Sequence, residues 1–206
     1  MIKRIILWAS MVIFLAPGLS LAQAPHQLAG FILDADIERF IDKVQPSTSL
    51  PIRYMEYIKE VEIQPIEGFK SGLIGYGDCT ISKPIVRIKL KCADSSKTFF
   101  EKLLKRFKQR FGEPSEWRGD PFHIYLAWKW SFKDKDQNRI SLTISHNTKD
   151  SQEKMGNAIK LTMTNRLEEE RLCFEKKQPE FRKHGQKKPP KKESKEPVDW
   201  NLYIPR

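Results

Sequence analysis

"IYLAWKWSF", residues 124–132, alternates without a break. Ile124, Leu126, Trp128, Trp130 and Phe132 fall on one side, and Tyr125, Ala127, Lys129 and Ser131 fall on the other. Alternation over nine residues predicts a half-buried antiparallel strand. Its large apolar side chains need a partner surface, and the chain supplies one just upstream.

That surface is "DSSKTFFEKLLKRFKQRFGEP", residues 94–114. Asp94, Ser95 and Ser96 are capping residues, and Gly112 with Pro114 stops the helix. Phe99, Phe100, Leu103, Leu104, Phe107 and Phe111 make one apolar stripe. Lys102, Lys105 and Arg106 lie mainly on the opposite side. The helix is therefore expected to lie across the sheet, phenylalanines against tryptophans.

Between helix and strand stands "EWRGDPFH". Arg118-Gly119-Asp120 matches a three-residue adhesion motif, but Gly-Asp-Pro is turn chemistry, and so short a match carries little weight. The stretch is expected to be a loop.

Further strands follow from the same periodicity. "EYIKEVEI" precedes a Pro65/Gly68 turn, and "KSGLIGYGDC" carries Gly72, Gly75 and Gly77, which suggests bending or close packing. In "IVRIKLKCA", Val86, Ile88, Leu90 and Cys92 point one way, and Arg87, Lys89 and Lys91 point the other. "ISLTISHN" and "NAIKLTMTN" complete the set, with Ile140, Leu142, Ile144, Ile159, Leu161 and Met163 inward. A helix capped by Asp34, with Ile37, Phe40, Ile41 and Val44 on one face, is expected before the first strand. A short helix in "RLEEERLCFEKK" closes the domain. The fold class is thus α+β: a curved antiparallel sheet of about six strands in the order α-βββ-α-βββ-α, with the long helix across one face.

The ends of the chain differ from this middle. "MIKRIILWASMVIFLAPGLSLA" has a basic start, an apolar run too short to span a bilayer, and Ser20-Leu21-Ala22 before the cut. Residues 1–22 are predicted to be a cleaved signal peptide, residues 23–177 one α+β domain, and residues 178–206 a disordered, Lys/Pro-rich basic tail. The expected location is periplasmic or extracellular, with no membrane span. The chain has 37 basic and 26 acidic residues; loss of Lys3 and Arg4 with the leader leaves nine more bases than acids. Export excludes nucleic acid as a natural partner and points to anionic envelope components or an acidic protein.

Cys79, Cys92 and Cys173 allow one disulfide in an oxidising compartment. Cys92 lies in the inward phase of its strand, so Cys79–Cys173 is the expected pair, pinning the last helix to the sheet.

Catalytic and metal motifs are not legible. "DKDQN" starts like a calcium loop, but Arg139 stands where glycine is needed and Ser145 where glutamate is needed, so a hairpin turn is expected. The histidines lack ligand spacing, no Gly-x-Ser-x-Gly elbow is present, and no cofactor is implied. The leading expectation is a non-enzymatic binding or accessory protein of the envelope, using the tail and a basic surface of Arg87, Lys89, Lys91, Lys102, Lys105 and Arg106. A carrier of a small apolar ligand, in a pocket lined by Trp128, Trp130 and Phe107, is the second reading. An enzyme whose site is assembled only in three dimensions is the third. Sequence alone leaves the oligomeric state open.

Overall fold

A computed structural model describes residues 23–120, 122, 124–148 and 156–178. The predicted signal peptide and nearly all of the predicted tail lie outside the described residues. Ten strands occur among the described residues. β1 (Gln27–Leu28) and β2 (Phe31–Ile32) form a small hairpin. The other eight make one antiparallel sheet: β3 (Val44–Ile52), β4 (Met55–Ile63), β5 (Phe69–Gly77), β6 (Ile85–Cys92), β7 (Glu116–Gly119), β8 (Tyr125–Lys133), β9 (Arg139–Asn147) and β10 (Gly156–Met163). Their spatial order is β3-β4-β5-β6-β10-β9-β8-β7. Helix α1 (Lys97–Phe111) follows β6, and α2 (Thr164–Lys177) follows β10. Each half is thus a four-stranded meander ending in a helix, and the two meanders meet where β6 pairs with β10.

The expected six strands are therefore corrected to eight, and the expected order changes with them. Two strands were hidden. Residues 44–52 carry Pro46 and Pro51, which discourage a strand reading, yet β3 is an edge strand, where missing N–H groups are tolerated. The helix expected before it shrinks to a 3-10 segment, Ile37–Lys43, capped by Asp36 rather than Asp34. Phe40 leaves helical geometry, Ile41 is exposed, and Val44 already belongs to the sheet. The second hidden strand is β7. Trp117, Arg118 and Gly119 pair with β8 instead of forming a loop, and the turn begins only at Asp120, which accepts hydrogen bonds from the N–H groups of Phe122 and Tyr125.

The core lies between α1, the 3-10 segment and one sheet face. Ile88 and Leu90 of β6, Ile140, Leu142 and Ile144 of β9, and Leu161 and Met163 of β10 are all buried there. Phe31, Leu33, Ile37 and Phe40 join the same core from the N-terminal segment. Helix α1 docks as its stripe predicts: Phe107 meets Trp130 at 5.9 Å and Phe111 meets Phe132 at 5.6 Å between ring centroids. The Trp130 indole N–H donates to Gly112 O (2.8 Å), tying the helix end to β8. At the other end, Ser96 caps α1, and Asn157 of β10 donates to the Asp94 and Ser96 carbonyls. Asn157 in turn meets buried His146 at 2.8 Å. The "DKDQN" segment is the β8–β9 turn, with Asp134 accepting from the backbone of Asp136 and Asn138.

Helix α2 lies across the opposite face. Buried Glu170 accepts from the N–H groups of Cys79 and Thr80 and from the Thr80 hydroxyl. Its carboxyl carbon lies 2.2 Å from where a Cβ on Gly77 would stand, so only glycine admits this approach. Gly77 shares its face with Gly75 by strand alternation, and Gly75 pairs with Arg87. The disulfide is Cys79–Cys173, as the inward phase of Cys92 predicts, and it joins α2 to the end of β5. Cys92 is free and buried. No helix among the described residues is long and apolar enough to cross a membrane.

Candidate functional site

Alternation places Arg87, Lys89 and Lys91 of β6 on the face away from α1. Register then decides their neighbours. Lys160 of β10 pairs with Lys89, Thr143 of β9 pairs with Lys160, and Lys129 of β8 pairs with Thr143. One row across four strands therefore reads Lys89, Lys160, Thr143, Lys129. The row beside it reads Lys91, Ala158, Ser145, Ala127, Arg118. Neighbouring strands lie about 4.8 Å apart, so these cations share one continuous surface.

The surface is concave. A depression of about 400 Å³ is lined by Arg87, Lys89, Lys91 and Lys160, with Tyr125 and Thr143 among its other walls. A second hollow, of about 410 Å³, shares Lys89 and Lys91 and runs towards Lys70 and Leu73. Because α2 occupies only the Gly77 end of this face, the basic part stays open.

Carboxylates enter from both sides, and Glu60 and Glu62 line the first and second hollows themselves. Glu116 binds Lys129 (3.0 Å) and Arg118 on the β7 side, and Glu60 lies 3.6 Å from Arg87 on the β4 side. Among the described residues, Lys89 and Lys160 have no carboxylate partner. Lys160 reaches solvent through the depression, yet its ammonium is held below the usual lysine range. Desolvation by the surrounding walls is the main cause, followed by the charges of Arg87, Lys89, Lys129 and Arg118. The Arg87 Nε and Thr162 Oγ1 atoms are buried without hydrogen-bond partners, and their residues pair across β6 and β10. The arrangement favours whatever brings negative charge.

The residues picked out from sequence divide in two. Arg87, Lys89 and Lys91 sit in this surface. Lys102, Lys105 and Arg106 are exposed on α1, on the other side of the sheet, and do not join it. Lys160, Lys129 and Arg118 were not among the sequence candidates. The outward phase of Lys160 and Lys129 was readable, but not that β10, β9 and β8 follow β6 across the sheet, and Arg118 fell in a stretch read as a loop.

Trp128, Trp130 and Phe107 lie on the α1 side. Trp130 is buried against Phe107, while Trp128 packs against Trp117 and carries the Lys108 ammonium over its ring. Here the aromatic rings fill one another's space, and the two hollows described above lie on the basic face. Among the described residues no group of three His, Cys, Asp or Glu side chains is arranged to hold a metal ion. Comparison with protein-family models, with curated proteins and with solved structures finds no match.

Proposed function

We propose that the protein is an exported binding protein that holds an anionic ligand in the depression on the basic face of its sheet. The observation that carries this reading is the convergence of Arg87, Lys89, Lys91 and Lys160 on one depression, where Glu60 beside Arg87 is the carboxylate wall and Lys89 and Lys160 have no carboxylate partner among the described residues. Clustering like charges on a folded surface is unfavourable by itself, and a low-dielectric hollow focuses the resulting field on an incoming anion. The leader-like N terminus and the disulfide support an oxidising, extracytoplasmic setting.

A bound anion opposes both causes of the Lys160 shift by pairing with the ammonium. Binding therefore draws protons onto the site, and affinity falls as pH rises through the lysine range. The test is calorimetric titration with pyrophosphate of protein expressed with its own leader. The Lys89→Gln/Lys160→Gln pair is expected to weaken binding about tenfold or more, equivalent to about 1.4 kcal/mol. The Lys102→Gln/Lys105→Gln pair removes the same charge from α1 and is expected to change affinity less than about twofold. Equal effects of the two pairs would overturn the assignment of the site.

A further inference from the structure

We propose that the ligand of this face is a phosphorylated saccharide of mono- or disaccharide size. This rests on the anion-binding reading above and deepens it.

The basic face is not uniformly basic. Thr143, Ser145 and Asn147 stand at alternate positions of β9 and so line one lane along the strand. Cations flank the lane on both sides: Lys129 and Arg118 towards β7, and Lys160, Lys89 and Lys91 towards β5. Ammonium groups only donate hydrogen bonds, whereas hydroxyl and carboxamide groups donate and accept. A bare inorganic anion offers only acceptors and makes no use of the accepting half of that lane. A ligand with hydroxyl groups in its middle and phosphates at its ends uses all of it.

Size and shape agree. From Lys89 on β6 to Lys129 on β8 is three interstrand spacings, about 14 Å between backbones. Within that span the hollow is lined by Lys160, Lys89, Lys91 and Arg87 on one side of the lane, while Lys129 and Arg118 are held by Glu116 at its outer edge. The floor is kept low by Ala158 and Gly156. The hollow of about 400 Å³ lies within the range of small-molecule sites. Tyr125 pairs with Asn147 at the end of the lane and is 42 % exposed, offering a flat ring with a polar edge. The C–H face of a sugar ring packs against such a ring, and a bare phosphate gains nothing from it.

The test uses three probes, fructose 1,6-bisphosphate, pyrophosphate and maltose, titrated into the wild-type protein and into Tyr125→Ala/Thr143→Val. The bisphosphate is expected to bind about tenfold more tightly than pyrophosphate. The double variant is expected to erase that margin, weakening the bisphosphate more than pyrophosphate. Lys89→Gln/Lys160→Gln is expected to weaken both phosphorylated probes. Pyrophosphate binding as tightly as the sugar bisphosphate would overturn the saccharide inference and leave the anion site standing. Maltose binding as tightly as the bisphosphate, unaffected by the lysine variant, would overturn both, as would no binding of any probe.

Discussion

Cys92 ends β6 on the core side, and burial pushes its thiol up to about 11. The neutral thiol is thus the form the fold holds. In the unfolded chain the thiol ionises near its ordinary value of 9.0, so the stability it contributes is full below that pH. It is lost as pH rises from about 9 through about 11, because the unfolded state then binds fewer protons. Cys92 is expected to resist alkylation at pH 8 in the native protein and to react once denatured, read by mass spectrometry; rapid native labelling would contradict its burial. The same strand shows what single residues disclose in sequence. Period-two alternation places Cys92 inward and Arg87, Lys89 and Lys91 outward without any structure. It places Lys160 outward too. It does not reveal that Lys160 stands opposite Lys89, because the partners are about 70 positions apart and only the β6–β10 pairing joins them.

Elements were legible in proportion to their length and regularity. Helix α1 has caps, stripe and stop signal in one run, and β8, β9 and β10 alternate cleanly. The segment Ile37–Lys43 matches helical spacing, yet pairing of the adjoining chain with β4 draws Val44 and its successors into the sheet, overriding local periodicity. Strand β7 is four residues long and ends at a glycine, too short for a period to show. Helix α2 was legible as a helix, and its link to the sheet through Cys79–Cys173 was too, but its polar anchor was not, since Glu170 resembles any surface glutamate in an acidic run. In the fold it is the helix's polar anchor beside the disulfide. Glu170→Ala strands the Cys79 N–H in a buried place and is expected to cost about 2–3 kcal/mol in urea unfolding. A loss below about 0.5 kcal/mol, the level of an ordinary surface substitution, would show that the disulfide alone holds α2.

At the scale of the whole molecule, two meanders of four strands, each closed by a helix, meet at β6 and β10. No internal repeat in the sequence announces this doubling, because a core needs apolar phase and volume rather than particular residues. The two helices take opposite faces. Helix α1 seals the core beneath β8 and β9, while α2 covers the Gly77 end of the other face and leaves the rest of it open. The basic centre of the sheet is thereby left accessible. The most direct test of the account is amide chemical-shift mapping of the isotopically labelled protein during titration with pyrophosphate. The account predicts shifts concentrated in residues 87–91, 143–147 and 156–160, with the amides of Lys102, Lys105 and Arg106 unmoved. Shifts confined to α1 or to residues 178–206, with the central strands silent, would contradict it.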